Sequence, residues 1–182
     1  MRLTLIFLLI IFGLTKGYAA DNHHGHSKMM HGHHQHDEVN MPGLQGKDTT
    51  PKEVNDLKNI FQNHKKISRT VKNIKNGIET VTISKDEKIR ESIVSHVSMM
   101  VTRFQQGKNP EVIIQSPTLT ELFKYYQKID TEIELVENGI KVIQTSNDPV
   151  IINLLQKHAA EINDMVKRGM QSVHERMMKS QK

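Results

Sequence analysis

The sequence predicts an α+β domain, a four-stranded antiparallel sheet packed with helices and built from a duplicated αββα unit. Three observations predict it. The chain matches itself without gaps at an offset of 62, each half carries an Asn-Gly pair between strand-like runs, and each half closes on a long helix with one apolar stripe. Residues 57–107 lie over 119–169 with 12 of 51 positions identical; chance gives roughly three. Asn76/Asn138, Gly77/Gly139, Ser84/Ser146, Asp86/Asp148 and His96/His158 are among the identities.

Taken in order, residues 1–20 have a charged start at Arg2, an apolar run over 3–14 and small residues in "GYAA". That is the grammar of a secretory signal peptide, cut after Ala19 or Ala20, and no membrane span remains once it is removed. Residues 21–50 are polar and rich in His and Gly and read as a flexible tail and linker. A single α+β domain is expected over 51–178, as repeats 51–107 and 113–169 plus a C-terminal helical extension.

In the first repeat Thr50, Pro51 and Glu53 have the spacing of a capping box with proline in the first turn. "SPTLTELFKYY" takes that part in the second, with Ser116 as cap. Hairpins turn at "KNG" (75–77) and "ENG" (137–139), where Asn-Gly tolerates positive φ. "TEIELV" alternates Ile133 and Leu135 with Glu132 and Glu134, the pattern of a half-buried strand. Ile89, Ile93, Val97, Met100 and Phe104 form one long-helix stripe; Ile151, Leu155, Ala159, Ile162 and Val166 form the other.

Composition excludes several classes. With no cysteine there is no disulfide, no thiolate metal site and no covalently attached haem. Removing Arg2 and Lys16 with the leader leaves 23 basic residues against 20 acidic ones, intermixed and poor in aromatics. Nucleic-acid binding, which wants a basic patch with stacking rings, is not expected. There is no phosphate loop, no G-x-S-x-G elbow and no H-E-x-x-H, so no catalytic residue is assigned.

Two histidine features carry the functional expectation. His23, His24, His26, His31, His33, His34 and His36 crowd into fourteen residues, with Met29 and Met30 between them. Imidazoles on a pliable chain converge on Cu(II), Ni(II) or Zn(II) without preformed structure, and thioethers suit Cu(I). Cleavage after Ala20 would add an Asp21-Asn22-His23 terminus, a square-planar set for Cu(II) or Ni(II).

The second feature is His96 and His158, retained at one repeat position, with Met100 one turn beyond the first and Glu161 three residues beyond the second. If the long helices pack side by side, the two imidazoles meet as a copper or zinc centre, or as the axial pair of a b-type haem. His64, opposite Tyr126 in the repeat, and His174 are lesser candidates.

The run "NGIETVTISKDE…SHVSMM…IQSPTLTELF…VIQTSNDP…LQKHAAEINDMVKRGMQSVHERM" resembles a family of small exported bacterial proteins over about residues 41–178. The resemblance implies export, to a periplasm or the medium, and hands over no reaction or functional residue. The leading expectation is an exported, non-enzymatic metal-binding protein, for copper first and zinc or nickel after. A b-type haem protein using the core histidines is the first alternative. A structural or interaction module with an incidental tail is the second; a homodimer is compatible with each.

Overall fold

The computed structural model describes residues 42–180. The expected leader (residues 1–20), the tail histidines His23 to His36 and most of the expected linker lie outside the described residues.

Helix α1 (Pro51–Gln62) begins as the sequence indicates: the Glu53 N–H donates to Thr50 Oγ1 at 3.3 Å, and the Thr50 N–H donates to Glu53 Oε2 at 2.8 Å. Strands β1 (Ser68–Ile74) and β2 (Gly77–Ile83) form the first hairpin, and β3 (Asp130–Val136) and β4 (Gly139–Thr145) the second. The long helices are α2 (Glu87–Gln105) and α4 (Pro149–Arg168), capped by Asp86 and Asp148. The short α3 (Pro117–Phe123) precedes β3, and α5 (Met170–Ser180) follows α4.

The sheet order is β1-β2-β4-β3, antiparallel throughout. Both hairpins have the same register: Ser68 faces Ile83 as Asp130 faces Thr145. The central pairing is symmetric about Thr80 opposite Val142, with Gly77 against Thr145 and Ile83 against Gly139. Backbone bonds cross that seam in reciprocal pairs. The Ser84 N–H reaches Asn138 O and the Ser146 N–H reaches Asn76 O, each at 2.9 Å.

This seam corrects the expected role of the glycines. Gly77 and Gly139 open β2 and β4, and a Cβ on either would sit 1.9–2.0 Å from the Gln144 or Thr82 carbonyl oxygen. Close backbone approach across the seam requires glycine there, while the positive φ of the second turn, 64°, falls on Asn138.

One face of the sheet is covered by helices. Strand alternation turns Arg69, Val71, Ile78, Thr80, Ile140, Val142 and Gln144 inward, and Lys72, Glu79, Glu132, Glu134 and Lys141 outward. Helix α4 crosses β2 and β1, and α2 crosses β4 and β3, so each helix leans on the opposite hairpin. The expected half-burial of Ile133 and Leu135 does not hold: they are 48% and 71% exposed, because β3 is an edge strand that α2 covers only in part.

Nor do the long helices pair with each other. Helix α1 packs on α2, α3 packs on α4, and a gap remains between α2 and α4. Phe104 meets Phe123 across the core at 5.0 Å between ring centroids. No helix among the described residues is long and apolar enough to cross a membrane.

Candidate functional site: a cavity over the sheet

The gap between α2 and α4 is a cavity of about 230 Å³ floored by the sheet. Its walls are largely apolar: Ile78, Ile140 and Val142 below, Ile93, Val97 and Met100 from α2, Ile162, Met165 and Val166 from α4. The stripe residues of the long helices divide accordingly. Ile89, Ile151 and Leu155 are buried in packing, Ile93 and Phe104 are buried yet border the space, and Val97, Met100, Ile162 and Val166 line it. Such a volume lies just under the ~300–1,000 Å³ of ordinary ligand pockets.

The polar groups in this wall are few. His64, His96 and His158 all line the cavity, with Arg69 and Gln144 from the sheet. A smaller cavity of about 80 Å³ shares His96 and Met100 with it and runs past Glu53 and Ser116.

His158 is held from behind. Its Nδ1 lies 3.0 Å from Ser116 Oγ, and the Ser116 hydroxyl donates to Glu161 Oε2. Thr118 Oγ1 donates to Glu161 Oε1 at 2.7 Å, and the Leu119 N–H caps α3 on Ser116 Oγ at 3.3 Å. Ser116 thus does more than end a helix. Burial pulls the Glu161 carboxyl upward, yet hydrogen bonds from Ser116 and Thr118 and the nearby His158 carry it below the usual range. Burial, then the Arg69 charge, push His158 down to about 4 against the pull of Glu161.

His96 sits on α2 with no hydrogen-bond partner among the described residues. Burial lowers it to about 4, opposed by the charges of Asp56 and Glu53. Asp56 is tied to Lys52 at 2.7 Å and to the Ser95 hydroxyl at 2.6 Å. Glu53 accepts from Arg103 Nε at 2.6 Å. His64 Nδ1 lies 2.9 Å from Val166 O, and its ring covers Gly169, where a Cβ would stand 2.1 Å from the ring. His64 therefore belongs to the same wall, and His174 does not: it is exposed on α5.

Arg69 is the group that sequence reading missed. Its side chain is partly buried over the sheet and its guanidinium meets Asn163 Oδ1 at 2.5 Å in a contact open to solvent, with no carboxylate partner among the described residues. Burial alone lowers it to about 10. One signal was present, since strand alternation puts Arg69 on the same face as Val71.

Among the described residues no group of three His, Asp or Glu side chains could hold a metal ion. Met100 shares the cavity with the histidines, but Glu161 is spent on Ser116 and Thr118. The arrangement can enclose a small apolar body and offer a few fixed polar groups to it. Comparison with protein-family models, curated proteins and solved structures returns no match.

Proposed function

We propose that the protein is an exported binding protein, whose folded domain takes a small organic carboxylate with an apolar body into the cavity. Its tail, His23 to His36, binds metal ions, copper before zinc or nickel. Arg69 carries the first part. A partly buried cation without a counter-charge is costly to desolvate, and it sits in a cavity wall where a carboxylate would neutralise it and accept hydrogen bonds from its unspent N–H groups.

The same charge disfavours a bare copper or zinc ion between His96 and His158, since a metal cation would add to the guanidinium rather than offset it. Tail capture of metal rests on composition alone and is independent of the cavity.

The test is calorimetry and thermal shift of the mature chain with aromatic and short-chain monocarboxylates and their methyl esters. Acids are expected to bind and esters to fail. Arg69→Met should abolish binding while leaving the unliganded fold as stable or more so, an outcome a purely structural arginine would not give. Equal binding of acids and esters would refute the reading. A Soret band in the purified protein, lost on substituting His96 or His158, would replace it with the b-type haem alternative.

A further inference from the structure

Resting on the carboxylate reading, we infer that the cavity selects carboxylates bearing a hydroxyl, because two of its three imidazoles, His158 and His64, are fixed as acceptors. The hydrogen-bond count around Ser116 leads there. Its single hydroxyl proton goes to Glu161 Oε2, an ionised acceptor with no proton to return. Ser116 Oγ also accepts the Leu119 N–H. The 3.0 Å contact with His158 Nδ1 is then a bond only if Nδ1 carries the imidazole proton and donates it to Oγ.

His158 is neutral at pH 7. With its one proton committed to Ser116, Nε2 is a bare lone pair on a side chain that lines the cavity. His64 reaches the same state by a different route, because its Nδ1 must donate to the Val166 carbonyl at 2.9 Å. Arg69 is the converse, a donor with no acceptor function. The polar code is therefore donor-only at Arg69 and acceptor-only at His158 and His64, while neutral His96 keeps one N–H and one lone pair. A carboxylate satisfies the first and a ligand O–H the second; an unhydroxylated acid leaves the imidazole lone pairs unmatched in an apolar space.

The probes are phenylacetate, mandelate, 3-hydroxyphenylacetate, 4-hydroxyphenylacetate and 4-methoxyphenylacetate, titrated into the mature chain. At least one hydroxylated acid should bind roughly ten- to a hundredfold tighter than phenylacetate, and the methoxy analogue should lose that gain. Glu161→Gln supplies an amide that can donate to Ser116, freeing the serine proton for Nδ1 and moving the histidine proton to Nε2. The preference should then swing from hydroxyl to methoxy.

Nitrogen-15 NMR of the histidine rings of the wild-type protein tests the same point without a variant, and should show the Nδ1–H form at His158 and His64. An Nε2–H tautomer at His158, or acids bound without discrimination by hydroxyl, would overturn this inference and leave the carboxylate reading standing. Failure of every acid would remove the carboxylate reading itself. Zinc or copper that competes with a bound acid through His158 would assign the lone pairs to metal and overturn the inference.

Discussion

Acidification from pH 7 to pH 4 should strip the domain of stability through its two cavity histidines. Each is held near 4 in the folded chain against 6.5 when unfolded. Between those values the unfolded chain binds the extra proton and the folded chain does not, so stability is full above about 6.5 and falls until pH reaches about 4. A gap of that size is worth about 3 kcal/mol per histidine at 1.36 kcal/mol per unit. The groups facing them set the balance: Asp56 and Glu53 favour the charged form of His96, Arg69 opposes and Glu161 favours that of His158, and burial outweighs all four.

Two such groups together match the lower end of the ~5–15 kcal/mol of an ordinary domain. Urea unfolding at pH 7, 6, 5 and 4 of the wild type and of His158→Gln would read this as a slope, in which the lower starting stability of the variant cancels. The variant should lose about half of the pH dependence between 6.5 and 4. An unchanged slope, or imidazole resonances titrating near pH 6.5 in the folded protein, would refute the reasoning.

Below pH 4.5 a different window opens. Burial would raise Glu53, but Arg103 and Thr50 hold it at about 2, so its contribution, present above 4.5, drains away as pH falls toward 2. In Glu53→Gln that last part of an acid-unfolding curve should flatten. Ser116→Ala, which strands His158 Nδ1–H, leaves Glu161 Oε2 with only the Thr118 N–H at 3.4 Å and removes a cap, should cost about 2–4 kcal/mol by denaturant unfolding. Gly77→Ala drives a methyl into the Gln144 carbonyl and should cost about 3 kcal/mol or prevent folding, as judged by circular dichroism. Deleting residues 21–40 should abolish retention on a copper-charged resin while leaving the melting temperature within a degree or two.

Much of the fold was legible because its signals are local. Thr50 and Glu53 announce a capping box by spacing, and Asp86 and Asp148 mark helix starts before long apolar periods. The site was half legible. His96 and His158 stand out at matching positions of the expected repeat, and the structure places both on one cavity. Their partners were not readable, since Ser116 reaches His158 across 42 residues and Arg69 reaches Asn163 across 94. Nothing local tells a strand arginine whether helices will close over it. Ile133 and Leu135 fail for the same reason: alternation gives the face of a strand, and only tertiary packing decides whether that face is covered.

The reciprocal bonds across the central seam bear on how the chain finds its structure. Each hairpin closes over a two-residue turn and can form early, within microseconds. Yet the strand end at Ser84 finishes on a carbonyl of the second hairpin, and the strand end at Ser146 on a carbonyl of the first. Neither half is complete until the other has docked, so the rate-limiting step should be their association rather than the making of either. A chain nicked in the connection between the halves, near residue 108, should refold as two pieces with a rate that rises with concentration. The connection then acts mainly by keeping the partners at high effective concentration.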